Sequence, residues 1–186
     1  MNYREVLETY QPQDSQEAKD KVYMLEQIAL YGDRWLDRDC PGGHLTVGAF
    51  LVNPQRDQVL FIHHKLRHTW SWAGGHMDGV ANPLQVAIKE AQEETGLKEV
   101  TPISSLPLAI LVCHVPEHVR KGQVVGAHEH SIFAYGFEVN PQERLILNSQ
   151  ETNDIAWFPI EEIHDGNFLA EDVQLYGQLL ERLKAI

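Results

Sequence analysis

The sequence is poor in the features that mark several protein classes. Cysteine occurs only as Cys40 and Cys113. Two cysteines make no disulfide framework, and this spacing fits no zinc motif, so both are expected as reduced thiols in a cytoplasmic protein. No apolar run approaches the ~18 residues of a membrane span. The opening stretch, "MNYREVLETY", is charged and has no apolar core of a signal peptide. The expectation is therefore no membrane partner. Basic residues are also scarce: Lys plus Arg number 15 against 27 Asp plus Glu, a formal net charge of -12. No local basic patch offsets this, so nucleic acid is not an expected partner. An acidic chain can still take an anionic small molecule where bound dications invert the local charge. Internal repeats and low-complexity segments are absent.

What is present suits an ordinary folded domain. The 186 residues, 43% of them hydrophobic, are enough for one core with a short appendage. Residues 1–40 read as a helical N-terminal extension. Asp14 suits a helix N-cap with Glu17 three residues on, and Gly32 suits the end. Ala18, Val22, Leu25 and Ala29 follow helical spacing with Ile28 beside them. That apolar stripe needs a partner, either the main domain or a second subunit in a homodimer. "DCPGG" at 39–43 breaks the pattern, and residues 41–186 form the main domain.

Within that domain, 44–52 and 58–64 read as strands joined by the turn "NPQRD", a hairpin. Residues 65–81 read as a loop rich in Trp, Gly and His. The 82–96 segment reads as a helix: Asn82 as N-cap, Pro83 first, Gln85 completing a capping box, Gly96 as C-cap. Two β-rich stretches near 99–114 and 124–139 follow, then a turn region at 140–153. "IAWFPI" reads as a short strand, with helical signals at 159–165 and 170–185. Strands and helices mix without regular alternation, so the fold class is α+β with a mixed sheet between helices.

"EAQEETGL" at 90–97 places Glu90, Glu93 and Glu94 within five residues. On a helix they share one side, where each like-charge pair costs about 0.2–0.5 kcal/mol. Leu84, Ile88, Ala91 and Thr95 gather on a separate stripe, roughly 130° round, which packs on the core. Such glutamates are often a solvated face. Here a Gly-rich stretch, "AGGHMDG" (73–79), leads into the same helix, and glycines let backbone approach a metal or phosphate closely. Oxygen donors on rigid helical positions match the needs of Mg²⁺ or Mn²⁺.

The span Gly75 to Leu97, "GHMDGVANPLQVAIKEAQEETGL", resembles the Nudix box, G-x5-E-x7-R-E-U-x-E-E-x-G-U, where U is a bulky aliphatic residue. Gly75, Glu90, Glu93, Glu94, Gly96 and Leu97 fall in register. The resemblance extends over much of residues 44–160. Three positions depart from it: Ala81 replaces the early acid, Lys89 the arginine, and small Ala91 follows Glu90. Lys89 keeps the charge but not the planar fork of donors, and Asp78 is a candidate for part of the missing acid's role.

The resemblance implies a Nudix fold and a metal-dependent pyrophosphohydrolase acting on acid anhydrides. The bond cleaved is the diphosphate bond of a nucleoside diphosphate linked to another moiety. It implies Glu90, Glu93, Glu94 and the carbonyl of Gly74 as metal ligands, with Mg²⁺ or Mn²⁺ as cofactor. It also implies a glutamate preparing the attacking water: Glu93, Glu94, or Glu151 from a later loop, where Glu151 or Asp154 could equally belong to a solvated turn. His76 in the Gly-rich stretch, Trp70 and Trp72 beside it, and Lys89 are candidate substrate contacts; stacking on a tryptophan competes with a role as core wall. His63, His64 and His68 precede the box, and His114, His118, His128 and His130 follow it. His128 and His130 are two apart and face the same way on a strand. Two alternatives stand: a Nudix-fold sensor that binds a nucleotide-like ligand without turnover, and an isoprenyl diphosphate isomerase, for which Cys113 lies in no matching motif.

Overall fold

The computed structural model describes residues 1–65, 67–120, 122–150, 152–164 and 166–186. In chain order the elements are α1 (Tyr3–Thr9), α2 (Ser15–Tyr31) and a 3₁₀ turn (Gly32–Leu36), then β1 (Gly43–Val52), β2 (Gln58–His64), β3 (Thr69–Ser71) and β4 (Ala73–His76). Helix α3 (Pro83–Thr95) is followed by β5 (Thr101–Pro102), β6 (Ala109–Val115), β7 (His118–Arg120), β8 (Gln123–Val125), β9 (His128–Glu138) and β10 (Thr152–Pro159). Helix α4 (Ala170–Lys184) ends the chain.

Eight of the described strands form one mixed sheet. Its spine runs β10-β2-β1-β9-β5, with β3 on β2, β4 on β1 and β6 on β9. The expected hairpin is there, with Leu51 opposite Leu60. Strands β1 and β9 are parallel over their whole length, from Gly43 opposite Glu129 to Val52 opposite Glu138. Side chains alternate between the two faces. From β1, Leu45, Val47, Ala49 and Leu51 enter a cluster with Val86, Ala87 and Ala91 of α3. Phe50 and Val52 enter a second cluster with Tyr176, Leu179 and Leu183 of α4. The sheet is therefore sandwiched between helices, the α+β arrangement expected. None of the described helices is long and apolar enough to cross a membrane.

The N-terminal extension joins the first cluster. Tyr3, Val6, Leu7, Met24, Trp35 and Leu36 are all buried in it, and Tyr3 donates its backbone N–H to Ala81 O at 2.9 Å. Helix α2 differs from the expectation, because its apolar stripe is the wrong face. Ala18, Val22, Leu25 and Ala29 are exposed and Ile28 is half-buried, whereas Glu17, Asp20, Met24 and Gln27 are buried. The reason is the neighbour it meets. Helix α2 lies along β6, and its carboxylates accept that strand's outward amides: Ile110 N–H to Glu17 at 3.3 Å and Val112 N–H to Asp20 at 3.3 Å. An acidic helix thus covers a sheet edge that would otherwise be open to pairing.

Glu17 is the hub of this contact. Its carboxylate also accepts Tyr10 Oη–H at 2.8 Å and Gln13 N–H at 2.6 Å, and it pairs with Arg182 of α4 at 2.5 Å. Removing one partner of a buried pair leaves the other charge uncompensated, so Glu17→Ala is expected to cost about 3–5 kcal/mol in urea denaturation. A loss below about 1 kcal/mol, the range of a surface pair, would contradict this.

Candidate active site

The site is built on α3 and β4. Helix α3 starts where Asn82 accepts the Gln85 N–H at 3.2 Å, with Pro83 in the first turn. It ends at Gly96, whose φ of 75° is left-handed; there a side chain would be strained and would also strike Ile146. The buried face is centred on Pro83, Ala87, Ala91 and Thr95, with Leu84 and Ile88 half-buried at its margin. The carboxylates accordingly do not share one separate face. Glu94 is 3% exposed, while the Glu93 side chain is 55% exposed.

Residues 69–76, expected as loop, are mostly strand. In β4, Gly74 lies opposite Gly48 and Gly75 opposite Val47. Gly74 donates its N–H to Glu94 Oε2 at 2.8 Å, which ties strand to helix. A Cβ on Gly75 would lie 2.5 Å from the Glu90 carboxyl group. A side chain there would displace the Glu90 carboxylate, which is pressed against the strand with its side chain only 16% exposed. Lys89 meets Glu93 at 2.7 Å and Glu90 at 3.4 Å. The hydrogen bond to Glu93 is the main cause of its raised pKa.

These donors are hard oxygens on one helix and one strand, the chemistry that suits Mg²⁺ or Mn²⁺. The glutamates stand apart, Glu93 drawn to Lys89 and Glu94 to Gly74. Asp78, at the positive φ of 46°, is clamped in a bidentate pair by Arg38, at 2.5 and 2.7 Å. An arginine from the N-terminal extension therefore fixes the segment before α3, a tie that no spacing within the box reveals.

The other candidates are dispersed. Trp70 packs edge-on to His63 and Phe158. Trp72 lies over Gly48, where a Cβ would come within 2.8 Å of its ring, and next to Tyr176. Both are half-buried wall residues of the second cluster. His63 lies 3.3 Å from Asn153 and His114 lies 2.9 Å from Glu129. Asp154, expected in a solvated turn, lies instead in β10 opposite His63, exposed and bonding its neighbour's amide at 2.8 Å. Glu151 lies outside the described residues.

His76 has different company from that expected. It sits with His44, His128 and His130, with ring centroids 4.9 Å from His44 and 5.2 Å from His130. Burial, then the neighbouring His44, His128 and His118, push His130 down to about 3, so it is a neutral imidazole. His44 was not among the histidines singled out from sequence. Its one signal is the shared strand parity with His130, which becomes visible only once β1 and β9 are paired.

The NUDIX domain model matches residues 42–182. No curated protein matches the chain in sequence. Among solved structures, the chain is similar to dihydroneopterin triphosphate pyrophosphohydrolase of E. coli (TM-score 0.58, 11% identity, 74% of this chain and 94% of that one). It is also similar to an Ap4A hydrolase of C. elegans (TM-score 0.53, 20% identity, 76% and 95%). A third is RenU, a Nudix hydrolase of M. smegmatis (TM-score 0.55, 18% identity, 77% and 87%). At these identities the likeness is one of fold. The match over most of the length, with the box glutamates beside the glycines of β4, leads to one conclusion: the chain belongs to the NUDIX domain family.

Proposed function

We propose that the protein hydrolyses the diphosphate bond of a nucleoside diphosphate linked to another moiety, using Mg²⁺ or Mn²⁺ held by Glu90, Glu93, Glu94 and the Gly74 carbonyl. The observation that carries this is the closure of Gly74 and Gly75 of β4 onto Glu94 and Glu90 of α3. Glu94 and Glu90 are held against the two glycines, with Glu93 beside Glu94 on the exposed side. A dication bound there neutralises the diphosphate and the charge that builds on the leaving group.

The chain's own groups do the rest. Glu94 uses one oxygen to hold Gly74 in place, which makes it a positioning group as well as a ligand. Glu93, the most exposed of the three, is the better placed to take a proton from water. Lys89 draws Glu93 and Glu90 together and adds a cation beside the substrate's charges. Glu151 remains a candidate acid from the segment before β10. His76 is a candidate substrate contact, whereas packing of Trp70 and Trp72 in the second cluster speaks for walls rather than stacking platforms. A second subunit in a homodimer would meet the exposed stripe of α2. The isomerase reading gains nothing from Cys113, whose thiol burial pushes up to about 11, away from a ready nucleophile.

The test is a substrate screen with Mg²⁺ and with Mn²⁺. Diadenosine tetraphosphate and dihydroneopterin triphosphate come first, after the similar folds, followed by ADP-ribose, NADH, nucleotide sugars and (d)NTPs. Cleavage of at least one, abolished by a chelator, is expected. Saturable binding without cleavage under either metal would point to a sensor instead.

A further inference from the structure

The sheet face opposite α3 carries a group of histidines apart from the glutamates of the hydrolytic site. Three adjacent strands, β4, β1 and β9, each present a histidine there. His44 lies opposite His130, and His76 opposite Thr46, two residues along β1 from His44. Strand parity puts all three on the Phe50 side, since Leu45, Phe133 and Ala73 point into the cluster under α3. Their ligand nitrogens all lie within 4.8 Å of one another, the one such set of three among the described His, Cys, Asp and Glu residues. His44 is 3% exposed and the other two are half-buried.

We propose that His44, His76 and His130 bind a transition-metal dication of the zinc type, at a site separate from the glutamates. Three imidazoles on three rigid strands are the ligand set of an open tetrahedral centre, which leaves one position for water or a substrate oxygen. Donors on tetrahedral zinc stand roughly 3.3 Å apart for bonds of about 2.0–2.1 Å, within reach of modest side-chain rotations from the spacing seen. Imidazole selects zinc, copper or nickel over Mg²⁺, which demands oxygen. The two centres therefore differ in chemistry as well as in face.

His128 supplies the outer support. Its Nδ1 donates to Gly126 O at 2.8 Å, so its Nε2 carries the lone pair, 3.2 Å from Nε2 of His130. This orients the His130 ring from outside the ligand set, as partners of metal-bound histidines do. An apolar wall would fill the same space without burying polar nitrogens, so packing alone does not account for four histidines here.

The experiment uses the full-length protein, stripped with chelator and titrated with Zn²⁺ and Co²⁺. Equilibrium dialysis gives stoichiometry, and visible absorption of Co²⁺ reports tetrahedral nitrogen ligation. One tightly held ion per chain with tetrahedral Co²⁺ absorption is expected, distinct from any weaker binding at the glutamates, with its affinity falling roughly 100-fold or more in His76→Gln and in His130→Gln and unchanged in Glu90→Gln. His44→Gln is the most buried change; should it fail to fold, the other two carry the test. Absence of stoichiometric binding would overturn the proposal. So would tetrahedral Co²⁺ absorption that survives both histidine substitutions, or that is lost in Glu90→Gln.

Discussion

Glu90→Gln and Glu93→Gln are each expected to lower metal-dependent kcat/KM by about 10²–10⁴-fold, the range for losing a positioned acid–base group. The amide keeps the size of the side chain, so Glu90→Gln leaves the fit against Gly75 intact. It removes a negative ligand and, with it, like-charge repulsion worth about 0.2–0.5 kcal/mol per pair. Its melting temperature should therefore hold or rise slightly. Glu93→Gln loses the exposed pair with Lys89, worth only about 0.3–0.5 kcal/mol. Activity should thus collapse where stability barely moves. Initial rates at saturating Mg²⁺ and Mn²⁺, beside thermal melts, decide it: wild-type turnover in both variants would remove these residues from the site.

Deleting residues 1–40 is expected to abolish cooperative folding. The family match begins at residue 42, so the extension lies outside the shared domain, yet its side chains lie inside the core. Tyr3, Val6, Leu7, Tyr10, Met24, Trp35, Leu36 and Cys40 are each at most 5% exposed and belong to the cluster that includes Val86, Ala87, Phe133 and Tyr135. Fully burying one large apolar side chain contributes about 1.5–3 kcal/mol, and the loss of several exceeds a typical net stability of about 5–15 kcal/mol. The deletion also uncovers the amides of β6 that Glu17 and Asp20 satisfy and frees Asp78 from Arg38. The truncated chain should be insoluble, or soluble without a sharp melting transition. A 41–186 fragment melting cooperatively at the full-length temperature would show the extension to be an accessory.

Legibility in the sequence followed the kind of force involved. Helix α3 was readable to its ends because Asn82, Pro83 and Gly96 act locally. The β1–β2 hairpin was readable because turn and alternation agree. The face of α2 was not, because hydrophobic spacing assigns burial to Val22 and Leu25, whereas this helix buries Glu17 and Asp20 to satisfy a strand distant in sequence. Strand β4 was hidden by its glycines, which carry no alternation, although the close approach of the Val47 backbone to Gly74 demands one there. The box spacing located the glutamates, but Glu94's turn inward to Gly74 depends on how β4 docks. The histidine group was legible only in part: His128 and His130 share a strand face by parity, but His44 joins them through a parallel pairing that no local signal reports.

The most direct measurement of the central claim is product analysis in H₂¹⁸O, with Mg²⁺ or Mn²⁺ and a substrate identified by the screen. Water attack on phosphorus predicts cleavage at the diphosphate linkage, with ¹⁸O in the phosphate group of one product and no turnover after chelation. Product phosphate without ¹⁸O, or label appearing on carbon, would contradict it.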